Sequence, residues 1–281
     1  DFVRPFDLSK APLLRVGFTE TAMLFDTHHI IVDGESVNII LRDLAELYRG
    51  GMLQKPKFSY ADYASYFQTA DFAEHKAYFK SMLKCDFEPI DLPEKKNPSK
   101  AEGISLFYQI DNATFEKGRE LAHTNKMTDT MIFLGAFGIL LSKYTARTDI
   151  LSSVVVTNRV HKEVQGVTGM FVNTLPVMLP VKGSTADYLA YVRNLMLNLY
   201  KYQELPFFEI AEAVGMKDKN VVNTSFVYQA DGAKQVTIGE KQLTPTWIDT
   251  HTAKFDLTVE LTPNENGCTI RIEYNSGKYE K

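Results

Sequence analysis

The longest unbroken apolar run in the chain, Met131 to Leu141, is eleven residues. A bilayer span needs roughly twenty, so this run must be buried by protein rather than lipid. Read with its flanks, Asp129–Tyr144 has helical length and is apolar all round, which predicts a helix with protein on every side. A chain that hides such a helix needs other layers around it, and the remaining pattern supplies them. Leu14, Val16 and Phe18 alternate with polar or small residues, and Met23–Val32 is a second extended run, so a hairpin turning near Glu20-Thr21 is expected. Ser36–Tyr48 carries apolar residues at helical spacing and ends at Gly50-Gly51. Ser59 with Asp62 reads as a capping box, and Asp71 with Glu74 repeats that spacing. Glu88–Glu102, with Pro89, Pro93, Pro98 and several Lys, reads as a solvated linker. Helices are expected near Thr114–Asn125, Thr185–Tyr202 and Phe207–Val214. Strands are expected at Ile150–Val156 and Val222–Gln229, with Val167–Val181 extended but restricted by Pro176 and Pro180. A closing hairpin pairs Phe255–Leu261 with Thr269–Tyr274 across Asn264–Gly267. Interleaved helices and strands make the class mixed α/β.

Composition narrows the function. Lys plus Arg is 31 against 35 Asp plus Glu, so 31 − 35 = −4. Mild, dispersed acidity argues against a nucleic-acid partner, which would need a basic face. The run lengths argue against a membrane span, and no secretory signal is present. Cys85 and Cys268 lie far apart in no metal or redox spacing, which fits a reducing, cytoplasmic setting. The first residue is Asp1 rather than Met, which suggests a piece of something longer.

One constellation carries chemistry: His28-His29-Ile30-Ile31-Val32-Asp33-Gly34, at the end of a strand leading into a helix. On a continuous strand His28 and His29 point to opposite faces. They then cannot share a metal, and no third Cys/His cluster completes a zinc site. This leaves one working and one packed histidine, and a neutral imidazole is a natural proton acceptor near neutral pH. The same residues could also be an ordinary strand histidine and a helix-capping Asp33.

The segment resembles the signature of condensation domains of non-ribosomal peptide synthetases, in the chloramphenicol-acetyltransferase-like superfamily. The resemblance continues in order along the chain. Arg4-Pro-Phe-Asp-Leu8 and Pro12-Leu-Leu-Arg15 look like the lead-in to the active-site hairpin. Tyr60-Ala-Asp-Tyr-Ala64, Thr168-Gly-Met-Phe-Val-Asn-Thr174, Gln203-Glu-Leu-Pro-Phe207, Lys254-Phe-Asp-Leu257 and Ile272-Glu-Tyr-Asn275 are similar to later family motifs. There are departures. Tyr202 replaces the usual His, Tyr66 the usual Trp, and Asn158 the Gly before Arg159. Asn223–Val227 is a reduced form of another motif. Two upstream motifs and a final helix of complete domains have no counterpart here.

The resemblance implies a two-lobed α/β sandwich with a mixed sheet and an incomplete N-terminal lobe. Residues 1–60 would be the remainder of that lobe, and 61–281 the connecting helices and C-terminal lobe. It implies amide-bond formation: an acyl or peptidyl thioester on an upstream peptidyl carrier protein passes to the amine of an aminoacyl thioester on the downstream one. Phosphopantetheine would be carried by those partners, with no cofactor or metal bound directly and an adenylation domain adjacent. By the resemblance His29 acts on the reacting amine, His28 packs, and Asp33 pairs with Arg159. Gly34 permits close backbone approach of substrate, and Asn173 and Ser36 are candidates for the tunnel lining, with a strand role and a helix-cap role as their respective alternatives. Arg159 could equally be a surface arginine after a strand. Epimerisation, coenzyme A-dependent acyl transfer and a non-catalytic docking platform are the other readings on this fold.

Overall fold

The computed structural model describes residues 2–83, 88–95, 102–217, 219–230, 235–246 and 248–281. The chain divides into two compact units. Unit one comprises residues 1–70, 157–172 and 233–245, and unit two comprises 71–156, 173–232 and 246–281. Unit one is thus assembled from three separate stretches, where the sequence reading drew one cut near residue 60.

In unit one, strands β1 (Leu14–Phe18) and β2 (Met23–Thr27) form an antiparallel hairpin with Leu14 opposite Thr27. The lead-in segment is pinned to it. Arg15 donates from Nη1 to the Arg4 carbonyl (2.7 Å) and from Nη2 to that of Pro5 (2.9 Å), and its guanidinium lies 3.7 Å from the Phe6 ring centroid. Helix α1 (Gly34–Tyr48) starts two residues before the expected Ser36, because Asp33 caps it and accepts from the Ser36 amide. Gly50, at φ +79°, follows its end. Helix α2 (Tyr60–Thr69) opens with the expected capping box of Ser59 and Asp62.

Unit two contains a six-stranded mixed sheet with β3 (Gly103–Asp111), β4 (Asp149–Val156), β5 (Asn173–Pro180), β6 (Thr224–Tyr228), β9 (Leu257–Asn264) and β10 (Gly267–Asn275). Its order is β3-β10-β9-β6-β4-β5; β6 runs parallel to β4 and β9, and the other pairs are antiparallel. The two prolines of β5 sit on an edge strand, where a missing donor is tolerated. Helices α3 (Ala73–Met82), α4 (Asn112–Thr124), α5 (Asp129–Thr145), α6 (Thr185–Lys201) and α7 (Phe207–Val214) complete the unit. The small hairpin β7 (Val236–Ile238) and β8 (Lys241–Leu243) belongs to unit one.

Helix α5 carries the apolar run and buries Met131, Ile132, Leu134, Phe137 and Leu141. A Cβ on Gly138 would fall 2.4 Å from the Tyr188 hydroxyl, so glycine is what lets α6 approach there. The helix is not enclosed on every side, however. Ala136, Leu140 and Tyr144, spaced four apart, form an exposed stripe.

Other sequence expectations change. The second strand ends at Thr27 rather than Val32, so His28 and His29 lie in a turn. They therefore do not occupy opposite faces of a strand. The Asp71/Glu74 box is not made: α3 has no side-chain cap. Asp71 accepts from the Ala73 amide, while Glu74 binds Lys201 and Tyr202. The linker reading holds for residues 88–95 in that they form no helix or strand and are mostly exposed, but the segment is anchored. Ile90 is buried, and the Asn223 amide brackets it, accepting from its N–H (2.9 Å) and donating to its carbonyl (2.8 Å). Pro98 and its Lys neighbours lie outside the described residues, as does Cys85. Cys268 is buried, and burial pushes its thiol up to about 11, out of range for a nucleophile at neutral pH.

Candidate active site

The turn after β2 is fixed by backbone bonds: the His28 amide donates to the Leu13 carbonyl (3.0 Å) and the Ile31 amide to that of His28 (3.1 Å). His28 is half-buried. Its ring meets Phe6 edge-on at 6.2 Å, and its Nδ1 accepts from the Ile30 amide at 3.2 Å. His29 is exposed, and its Nδ1 lies 2.7 Å from the Val32 carbonyl. A carbonyl only accepts, so this bond requires the proton on Nδ1. The neutral ring then presents the Nε2 lone pair, the form a proton acceptor needs.

Beneath that turn lies a buried polar cluster within unit one. The Asp33 side chain is 0% exposed and that of Arg159 is 5% exposed. Arg159 Nη2 bridges both Asp33 oxygens at 2.8 and 3.1 Å, and Nη1 donates to the carbonyls of Val164 (2.8 Å) and Val167 (2.7 Å). Only Nη2 meets the carboxylate, because Nη1 holds the 164–167 loop instead. Arg159 is not a surface residue. Asp33 Oδ1 also accepts from the Ser36 amide (2.8 Å) and hydroxyl (2.7 Å), and Oδ2 from the Phe171 amide (3.1 Å). Cap and ion-pair partner are thus one and the same carboxylate. A buried carboxylate with this many donors is compensated for its lost hydration.

Ser36 is fully buried at the third position of α1. Its one O–H is shared between Asp33 Oδ1 and the Gly169 carbonyl (2.9 Å), and its oxygen accepts from the Gly169 amide (3.0 Å) and Arg159 Nη2 (3.1 Å). Around it, Tyr60 donates to the Met170 carbonyl at 2.9 Å, and its ring packs so tightly on Gly169 that a Cβ there would lie 2.2 Å from it. The Phe171 ring meets Tyr63 at a tilt (4.9 Å) and Tyr60 edge-on (5.1 Å), and the Arg159 guanidinium lies 4.3 Å from its centroid.

Gly34 is the converse case. It is exposed, its φ is not left-handed, and a Cβ built there meets nothing within 4 Å. Among the described residues, nothing packed near Gly34 calls for glycine. Asn173 belongs to unit two, where its Nδ2 donates to the carbonyls of Gln203 (2.8 Å) and Leu205 (2.7 Å). It ties one family-like motif to another and is 8% exposed.

Sequence reasoning did not assign the Val32 carbonyl, the Phe171 amide, Tyr63 or Gly169 to the site. The i,i+3 spacing of Tyr60 and Tyr63 was the available signal for the aromatic pair. Among the described residues, no group of three or more His, Cys, Asp or Glu is placed to hold a metal, and no helix is long and apolar enough to cross a membrane.

A family model described as Condensation domain matches residues 1–281. Bacitracin synthase 1 of Bacillus licheniformis is 33% identical over 298 residues, covering 100% of this chain and 6% of that protein. The chain therefore spans a small fraction of that relative's length. Two solved structures share the fold. A holo four-domain nonribosomal peptide synthetase bound to AMP and glycine aligns with TM-score 0.81 at 20% identity, over 99% of this chain and 24% of that one. The X-domain from teicoplanin biosynthesis aligns with TM-score 0.81 at 18% identity, over 99% and 70%.

Proposed function

The chain belongs to the condensation-domain family, and from that premise we propose that it forms an amide bond between two carrier-bound substrates in non-ribosomal peptide synthesis. The donor is an acyl or peptidyl thioester and the acceptor an aminoacyl thioester. Each hangs on the phosphopantetheine arm of a peptidyl carrier protein, upstream and downstream, with an adenylation domain as neighbour in a cytoplasmic assembly line. The observation that carries the reading is His29: an exposed imidazole whose Nδ1–H is held by the Val32 carbonyl, leaving Nε2 to accept.

The acceptor amine attacks the thioester carbonyl carbon, the carbon–sulfur bond breaks, and amide and thiol result. The proton lost by the amine passes to His29 Nε2 and on to the departing sulfur. A positioned base contributes about 10²–10⁴-fold. An α-amino group ionises near 8, so orienting the amine contributes alongside proton transfer. Asp33, Arg159 and Ser36 position the turn and touch no substrate. Asn173 is likewise assigned to positioning, since its amide is occupied within its own unit. The open space at Gly34 supports close approach of the thioester backbone at the start of α1.

The test supplies the protein with separately loaded donor and acceptor carriers and looks for the condensed thioester by mass spectrometry. Its appearance on the acceptor carrier supports the reading. An inverted donor α-carbon without condensation would replace it by epimerisation, turnover only with a coenzyme A thioester by free acyl transfer, and stable binding of another protein without turnover by a docking platform.

A further inference from the structure

We infer that Tyr63 and Asn158 form a positioning pair that sets Arg159 and, through it, the turn carrying His29; the inference rests on the reading of His29 as the reacting histidine. Asn158 has φ +54°, the left-handed region that glycine enters freely and that asparagine tolerates better than most residues. Glycine would adopt this backbone without burying an amide. Asn158 does bury one: the residue is 4% exposed and its Oδ1 is buried without a hydrogen-bond partner among the described residues. An unsatisfied buried oxygen is unfavourable. What the amide supplies in exchange is a single bond, from Nδ2 to the Tyr63 hydroxyl at 3.3 Å.

Tyr63 is placed to make that bond matter. It is buried on α2, and its ring lies 4.9 Å from that of Phe171. Phe171 in turn carries the Arg159 guanidinium on its ring at 4.3 Å and donates its amide to Asp33 Oδ2. Tyr63 therefore holds Arg159 twice, through Phe171 beside its guanidinium and through Asn158 beside its backbone. Arg159 bridges Asp33, Asp33 caps α1, and the preceding carbonyl, that of Val32, fixes the His29 tautomer. Each link is a contact within unit one.

The pair touches no reacting atom, so its loss should lower turnover without weakening substrate capture. Tyr63→Phe keeps the ring and removes the hydroxyl. Asn158→Gly keeps the left-handed backbone and removes the amide. Each should lower kcat about fivefold, the scale of one lost hydrogen bond, with KM for the acceptor carrier within about twofold. The double variant should fall no further than the worse single, because both remove the same bond. Nitrogen-15 NMR of His29, at a pH where the ring is neutral, reads the device independently of turnover. The wild type should hold its proton on Nδ1, and both variants should admit the Nε2–H form.

Independent, multiplying losses in the double variant, or unchanged kcat in both folded singles, would overturn the inference. If the wild type forms no amide, the proposed reaction has failed and the NMR decides alone. An unmoved tautomer in both folded variants refutes the positioning pair, and a shifted one upholds it.

Discussion

The two units differ in the extent of their apolar clusters and in how deeply they bury an ion pair. In unit one the buried apolar cluster among the described residues is Tyr63, Val164, Val167 and Phe171, with Phe67 against it. Beside it sits an ion pair whose side chains are 0% and 5% exposed. In unit two a continuous apolar cluster extends from Phe79 to Cys268, taking in Leu134, Ile150, Val192 and Phe226. Apolar packing is non-directional and shared among many contacts, so one altered side chain is partly absorbed by its neighbours. A buried charge network is directional, and each member depends on the others. The unit that carries His29 is therefore the one in which a single substitution propagates, and there orientation is kept by hydrogen bonds rather than by bulk.

That contrast can be broken by substitution. Arg159→Ala strands a buried carboxylate and should cost about 3–5 kcal/mol. Urea denaturation would report this as a large drop in midpoint, and condensation should be lost with it. A midpoint within error of wild type would dissolve the contrast at its strongest point. Ile150→Val, in the middle of the unit-two cluster, should cost about 0.5–1.5 kcal/mol and leave the condensation rate of the folded protein unchanged. A greater loss than that of Arg159→Ala would invert the comparison. Smallest is Lys201→Ala. Lys201 pairs with Glu74 at 2.8 Å, but the two side chains are 59% and 69% exposed. Exposed pairs contribute little, so the denaturation midpoint should not move measurably.

Much of this was legible in the sequence, and the exceptions have physical causes. Periodicity located α5 and α6 because their patterns, 17 residues each, are long; the eight-residue α7 and the closing hairpin were legible as well. The capping box at Ser59 was legible because it is local. The apparent box at Asp71 and Glu74 was not made because Glu74 binds Lys201, 127 residues away. Strand β3 escaped notice beside a proline- and lysine-rich stretch, with Phe107 and Tyr108 both exposed and little alternation to read. The extended run was read through His29 because Ile30, Ile31 and Val32 continue its β-branched character. Backbone bonds of the His28–Ile31 turn end the strand sooner. At the site, the histidine motif was visible in one stretch of chain. Asp33 and Arg159 are 126 residues apart, and only the family resemblance joined them beforehand. That Asn158 stands in place of Gly was legible, but its left-handed backbone and its bond to Tyr63 required coordinates.

In the proposed division of labour His29 does the chemistry while Asp33 and Arg159 hold its turn. The direct test is one protein with His29→Ala, measured for both unfolding midpoint and condensed product. His29 is exposed, and its side-chain bond to the Val32 carbonyl is local. The account predicts a midpoint close to wild type and a product yield reduced about 10²-fold or more. A folded His29→Ala protein that condenses its loaded carriers at the wild-type rate would contradict it.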